Sequence, residues 1–297
     1  MIRAMTDPTS SIDLAANFAQ DGFVAVRNVL SAEEIARFGA AVDHAVATRK
    51  QHDTRSLAEK SAYEQSFIQC QYIWEDFPDI RPLTFHPRIA AIAAQLLQAD
   101  CVRLWHDQAL YKEALGRETE AHQDHPYWPI AEPDALTAWI PLIDIDETTG
   151  CMGYVPSTHH GPCEFIDIFN SPGAGKLLEA RHAGANPPQF MPCRAGDVIF
   201  HHGRTVHMAT ANRSDRTRRV YTAIYFRDGC TRSAGRAHPS VDRDGIAVGE
   251  AIRGAATPVA WPLPQDRMPE PAPWPQSSHP RAELSRRLGI IPGASQE

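Results

Sequence analysis

The sequence predicts an α+β chain, mainly β, whose core is a jelly roll (a cupin-like double-stranded β-helix) with N-terminal helices packed on one side. Three observations predict it. From about Val102 onward, short apolar runs (VRLW, QALYK, LTAWIPLI, MGYV, DVIFHH, TVHMA, RVYTAIYF) are broken by Gly, Pro, Asn and Asp, the texture of many short strands joined by loops. The helical patterns stand before these runs, and no strict strand–helix alternation follows, which disfavours a doubly wound sheet. The 297 residues, 43% hydrophobic and 22% charged, suffice for one large β-rich domain with a sizeable core.

Along the chain, Phe23, Val24, Val26 and Val29 read as a strand that leads to Ser31. Glu34 stands three residues further, the spacing of a capping box, in which the serine accepts from an N3 amide and the glutamate reaches back. Ile35, Phe38, Val42 and Val46 recur at three- and four-residue steps and predict a core-facing helix. HPRIAAIAAQLL predicts a second, with Pro87 in the first turn and Ile89, Ile92, Ala93, Leu96 and Leu97 on the buried face. Trp128 reads as core, and GCMGYVPSTHHG as a strand plus a turn shaped by its glycines and Pro156. The polar stretch between Phe165 and Pro192 reads as a long active-site loop or lid. Past Gly254 the prolines at 258, 262, 264, 269, 271, 273, 275 and 280 forbid regular structure. The chain is thus expected to divide into a domain over 1–254 and a Pro-rich tail over 255–297, with Trp261 and Trp274 favouring docking of that tail.

A net charge of −7 disfavours a general nucleic-acid binder. The chain has neither a run of membrane-spanning length nor an apolar N-terminal stretch of signal-peptide length, so the expectation is a cytoplasmic protein with no membrane partner. Its six cysteines lie far apart with no C-x-x-C pair, which predicts reduced, mostly buried thiols. Histidines cluster at His122/His125 and at His201/His202/His207.

The chemistry concentrates in AHQDHPYW. His122 and Asp124 are two residues apart, and in an extended strand such positions share a face, so one strand would offer an imidazole and a carboxylate to one metal. GDVIFHHGRTVHMATANRSDRTRR supplies candidates for a second imidazole. Two histidines and one carboxylate leave adjacent coordination positions open, which suits non-haem Fe(II) because O2 and a bidentate cosubstrate can both bind. H-x-D alone is a weak signal. A polar turn over 212–216 would fold the next strand back antiparallel and leave Arg218 near His207, where a guanidinium can hold the far carboxylate of a keto acid. Alternation sends Arg219 to the other face.

In this order the motifs resemble the phytanoyl-CoA dioxygenase family of Fe(II)/2-oxoglutarate-dependent oxygenases. The resemblance runs from about Asp21 to about Phe226 and rests on DGFVAVRNVLSAEE, LYK, HQDHPYW, DALTAWIPL, GCMGYVPSTHHG, GDVIFHHGRTVHMATANRSDRTRR and YTAIYF. It implies His122 and Asp124 as iron ligands and His207 as the third, because the family's second histidine stands eleven residues before the 2-oxoglutarate-binding arginine, as His207 stands before Arg218. It implies Trp139 as a lining of the cosubstrate pocket and Gln108, four residues before Lys112, as another cosubstrate contact. The sequence departs from the family at Ala209, where relatives commonly have a serine that helps bind the oxoglutarate carboxylate; Thr210 next to it would point to the other face. Retention of Asp124 separates the chain from halogenating relatives, which give up the carboxylate for chloride.

The function expected from the resemblance is a dioxygenase that uses Fe(II), 2-oxoglutarate and O2, releases succinate and CO2, and hydroxylates a small-molecule metabolite, as a monomer or homodimer. His201 and His202 are read as structural or as partners of ligands, with His202 also able to bond a substrate. His125 and Tyr127 are read either as substrate contacts or as packing. Two readings from other classes stand beside this one. A zinc hydrolase on the same three residues leaves Arg218 without a role and finds no H-E-x-x-H helix. A jelly-roll binding protein without catalysis has Ala209 as its only hint.

Overall fold

The computed structural model describes residues 11–183, 186–264 and 267–274. The chain opens with α1 (Ser11–Asp21), β1 (Phe23–Val26) and α2 (Ala32–Lys50), followed by α3 (Ala62–Ser66), β2 (Ile68–Gln71), α4 (Ile73–Asp76), α5 (Arg81–Thr84) and α6 (Pro87–Leu96). Then come β3 (Val102–Lys112), β4 (Thr119–His122), β5 (Ala135–Pro141), β6 (Met152–Tyr154), α7 (Ala174–Ala183) and β7 (Gln189–Met191). The last are β8 (Val198–His202), β9 (His207–Ala209), β10 (Arg218–Arg227), α8 (Pro239–Asp242) and β11 (Val259–Trp261).

The strands form two antiparallel sheets that enclose the site. The larger has the order β1-β8-β5-β10-β3-β11, with β2 also paired to β3; the smaller has the order β4-β9-β6-β7. Strands distant in sequence are neighbours in both, as a jelly roll requires. The larger sheet is covered on both faces, which is why its strands read as nearly continuous apolar runs. In β10, Tyr221, Ala223 and Tyr225 pack outward with Val42 of α2 and Ile89 and Ala93 of α6. Val220 faces inward, in a cluster with Trp139 and Tyr154 between the sheets, and Ile224 and Phe226 join Trp105 and Trp128.

The capping box forms as expected: Ser31 N donates to Glu34 Oε2 at 2.8 Å and Glu34 N to Ser31 Oγ at 3.2 Å, which is worth about 1 kcal/mol to α2. Pro87 begins α6. The runs VRLW and QALYK are one strand, β3, bent where the ladder to β10 skips Trp105: Ile224 faces His106 and Tyr225 faces Leu104. Between Phe165 and Pro192 the chain is more ordered than a bare loop, since it carries α7 and β7. Beyond Gly254 the prolines limit regular structure without forbidding it. Pro258 and Pro262 bracket β11, three residues long, on the edge of β3, where proline is tolerated. Trp274 docks edge-on against Tyr72 at 5.3 Å, with Arg243 over its ring at 4.0 Å. Residues 265–266 and 275–297 of the expected tail lie outside the described residues. Among the described residues no helix is long and apolar enough to cross a membrane.

Candidate active site

β4 ends at His122, and the chain leaves the strand there. Asp124 is in the right-handed helical region (φ −76°, ψ −40°) and opens a 3-10 turn, His125–Tyr127, with Pro126 at its start. The shared-strand argument for His122 and Asp124 therefore fails; a turn brings the carboxylate beside the imidazole. His125 N fixes that turn by donating to Gly203 O at 2.8 Å. His207 opens β9 directly opposite His122, and the two rings lie 4.2 Å apart.

Asp124 Oδ1 stands 3.6 Å from Nε2 of both His122 and His207, and the ligand atoms of the three lie within 4.8 Å of one another. His122 Nδ1 lies 2.8 Å from Glu120 O and His207 Nδ1 3.0 Å from Thr205 O. A carbonyl only accepts, so each ring carries a proton on Nδ1, and Nε2, the nitrogen left for a metal, faces Asp124. Metal-binding histidines are held in this way. Burial raises the Asp124 carboxyl, but the imidazoles of His207, His122 and His201 outweigh it and hold the group well below its ordinary range. Burial, with His122 beside it, pushes the His207 imidazole well below its own. Two imidazoles and a carboxylate brought together in this way are a donor set that fits Fe(II).

Arg218 was expected beside His207 across a hairpin. The structure differs: β9 lies in the smaller sheet and β10 in the larger, and the turn over 212–216 crosses between them. Arg218 instead faces Lys112 of β3 and enters the space between the sheets. It is 2% exposed; its Nη1 donates to Gly150 O at 2.8 Å, its guanidinium lies 5.7 Å from the centre of the Trp139 ring, and its Nε has no partner. Burial lowers its pKa from its ordinary value to about 10. Lys112 is fully buried, its ammonium donating to Arg117 O and to Thr119 Oγ1, and burial together with Arg218 pushes it well below its ordinary value. Two adjacent buried cations, one with an unpartnered N–H, fit an anion such as the far carboxylate of 2-oxoglutarate. Arg219 takes the other face, as expected, and pairs with Asp43 of α2.

Trp139 and Gln108 flank Thr222 on neighbouring strands, so the three share one rung and face. That rung stands between the Arg218/Lys112 end and the rung of Ile224 and Thr137, where Thr137 Oγ1 reaches Asp124 Oδ2 at 3.1 Å. Gln108 Oε1 accepts from Gln69 at 2.5 Å, with Gln71 at 3.5 Å. Ala209 is buried across from Thr119, and Thr210 Oγ1 is turned away to donate to Glu147 O at 3.0 Å.

Reasoning from sequence passed over Lys112 and left His201 unresolved. His201 lies 3.2 Å from Asp124 Oδ2, whereas His202 faces away, its Nδ1 accepting from Arg204 N at 3.0 Å. His125 packs against Trp128, with its Nδ1 unpartnered. Tyr127 meets the His122 ring edge-on at 6.5 Å, packs on Phe165 and Phe169, and donates to Ile166 O. Phe169 also lies 4.3 Å from Tyr63, so the segment over 165–169 covers this side of the cluster.

Residues 18–220 match the phytanoyl-CoA dioxygenase (PhyH) family. A phytanoyl-CoA dioxygenase domain-containing protein 1 homolog of Caenorhabditis briggsae is 22% identical over 71% of this chain and 88% of its own. The peroxisomal phytanoyl-CoA dioxygenase of Rattus norvegicus is 21% identical over 80% of this chain and 75% of its own. Among solved structures, the epimerase SnoN in complex with Fe3+, alpha ketoglutarate and nogalamycin RO is 31% identical, with a TM-score of 0.70 over 86% of this chain and 100% of that one. The alpha ketoglutarate dependent carbocyclase SnoK from nogalamycin biosynthesis is 28% identical, with a TM-score of 0.70 over 86% of this chain and 99% of that one. Matched over most of its length, and sharing its fold with alpha ketoglutarate dependent enzymes, the chain belongs to the phytanoyl-CoA dioxygenase family and is an Fe(II)- and 2-oxoglutarate-dependent oxygenase.

Proposed function

We propose that this oxygenase hydroxylates a small-molecule metabolite in the cytoplasm, as a monomer or homodimer. In this reading His122, Asp124 and His207 hold Fe(II), while Arg218 and Lys112 hold the far carboxylate of 2-oxoglutarate and Trp139 and Gln108 flank its chain. The observation that carries the reading is the pairing of two ends of one inter-sheet space. At one end three donors converge; at the other lie two buried cations, with no carboxylate bonded to Arg218 among the described residues. A zinc hydrolase would leave those cations without an anion.

Bound Fe(II) supplies the redox chemistry that couples decarboxylation of 2-oxoglutarate, with O2, to oxidation of the substrate. The protein's part is to bind and orient. The carbonyls of Glu120 and Thr205 hold the two imidazoles in the ligating tautomer, and Arg218 sets the direction in which the keto acid enters. Tyr127, Phe165 and Phe169 exclude water on the substrate side. A small-molecule substrate is supported by the nogalamycin compound in the SnoN complex.

The test is succinate formation from 2-oxoglutarate under air with Fe(II) and a metabolite panel. The wild type is expected to form succinate, faster with a fitting metabolite, and His122→Ala none. Equal Fe(II) binding by wild type and His122→Ala would overturn the site.

A further inference from the structure

We propose that His201 is a positioning residue that restricts Asp124 to a single-oxygen metal contact, with Tyr154 and Thr137 completing the device. This rests on the reading of His122, Asp124 and His207 as the metal ligands.

The two oxygens of Asp124 have different surroundings. Oδ1 faces the Nε2 atoms of His122 and His207 at 3.6 Å each. Oδ2 faces Thr137 Oγ1 at 3.1 Å and His201 Nε2 at 3.2 Å. A carboxylate oxygen only accepts, so His201 carries a proton on Nε2 and donates it to Oδ2. Tyr154 OH lies 3.3 Å from the other ring nitrogen, Nδ1. Hydrogen bonds thus link the Tyr154 hydroxyl, the His201 ring and Asp124 Oδ2.

The nitrogen that faces the carboxylate is thus a donor in His201, unlike in His122 and His207, whose Nδ1 atoms donate to backbone carbonyls. His201 lies only 4.5 Å from the His207 ring, yet it offers the cluster no lone pair at Nε2. Its contribution is a hydrogen bond. The arrangement is held by packing: His201 and Tyr154 are 2% and 0% exposed, and Tyr154 stacks on Phe23 at 4.8 Å and 16°. Phe23 is in turn the ladder partner of His201, so the N-terminal strand anchors two of the three members of the relay.

With Oδ2 engaged by two donors, Oδ1 alone faces the metal position, and the coordination positions needed by a bidentate keto acid and O2 stay open. Without those donors the carboxylate is free to rotate and chelate through both oxygens, at the expense of one such position.

The experiment measures Co(II) affinity and the absorption spectrum of the Co(II) protein, with and without 2-oxoglutarate, in the full chain. His201→Phe keeps an aromatic ring and removes the donor; it is expected to bind Co(II) about 10- to 100-fold more weakly, the range typical of lost outer partners, and to show an altered Co(II) spectrum. His201→Gln, whose amide places a donor near the position of Nε2, is expected to recover most of the affinity and the wild-type spectrum. Tyr154→Phe and Thr137→Val remove one hydroxyl each without changing the packed shape, so they test the relay even where His201→Phe fails to fold; each is expected to shift the same two readouts by less. Wild-type affinity and spectrum in the folded His201→Phe, Tyr154→Phe and Thr137→Val proteins would overturn the proposal. So would equal losses in His201→Phe and His201→Gln, which would mark ring shape rather than hydrogen bonding. If the wild type itself binds no Co(II), the ligand reading beneath the proposal fails instead.

Discussion

Replacing Arg218 by methionine should move stability and cosubstrate binding in opposite directions. The guanidinium is 2% exposed, and burial lowers its pKa from its ordinary value to about 10. The folded protein therefore disfavours the charged form relative to the unfolded chain. Near pH 7, below both values, the disfavour is felt in full; at about 1.4 kcal/mol per pH unit it is on the order of 3 kcal/mol. Loss of the hydrogen bond to Gly150 O takes back about 1 kcal/mol, and methionine retains much of the aliphatic contact on Trp139. Arg218→Met without ligand should thus be more stable than the wild type by about 2 kcal/mol, read as a rise in the urea midpoint at unchanged slope. Binding should fall. Removing one partner of a buried, hydrogen-bonded charge pair costs about 2–5 kcal/mol, which is roughly 30- to 5000-fold in the Kd for 2-oxoglutarate. The assay is calorimetric titration of 2-oxoglutarate into Mn(II)-loaded protein, beside urea unfolding of the ligand-free protein. A variant that unfolds earlier than the wild type while binding 2-oxoglutarate as tightly would refute the reasoning, because Arg218 would then be a structural cation with an internal partner.

Three further outcomes are expected. His122→Ala should weaken Fe(II) binding by more than the ~10- to 100-fold typical of an outer partner while leaving the fold intact, checked by metal titration and circular dichroism. Asp107 of β3 is buried, accepts from Tyr221 OH and Trp74 N, and has its carboxyl pushed up by burial to about 7 from 3.8. A raised acid contributes stability that is full below about pH 4 and is lost as pH rises through about 7, so the urea midpoint of the wild type should fall between about pH 4 and 7 relative to that of Asp107→Asn; parallel curves would contradict this. Phe169→Ala removes the ring shared by Tyr63 and Tyr127 and should increase proteolytic cleavage within 165–172, with more succinate formed in the absence of substrate; an unchanged cleavage pattern would count against a covering role for this segment.

What could be read in the sequence was local, and what could not was a matter of pairing. Ser31 with Glu34, and Pro87 ahead of an apolar stripe, act within one turn of chain, and both helices form where the pattern places them. The residue types of the metal cluster were legible for the same reason, since H-x-D lies within three residues. The route by which they meet was not. Asp124 arrives through a turn fixed by Gly203 O, some eighty residues away in sequence, and periodicity inside AHQDHPYW carries no trace of that partner. His207 and Arg218 looked like two sides of a hairpin because the turn between them is short and polar. The chain uses that turn to change sheets, and Asn212 is what fixes it, its side-chain amide donating to Lys112 O and Arg216 O.

Lys112 was missed, and His201 was not told apart from His202, through parity. In a sheet with one wet face, polar and apolar residues alternate visibly, and an inward Lys or His stands out against the pattern. Here both faces of the larger sheet are covered, by helices outside and by the smaller sheet inside, so apolar residues occur at inward and outward positions alike and parity is hidden. It becomes readable once a single position is fixed. Trp139 lies between the sheets and shares a rung with Ile199, which places His201, two residues on, inward. Gln108 shares the Trp139 face through Thr222, and Leu110 and Lys112 follow it inward at steps of two. Arg218 faces Lys112 and so joins the same face. One inward tryptophan therefore orders the cations, the amide and the third imidazole around one space, and that dependence on partner strands is why a charged residue ending an apolar run, such as LYK, is worth testing as a site residue wherever both faces of its sheet are buried.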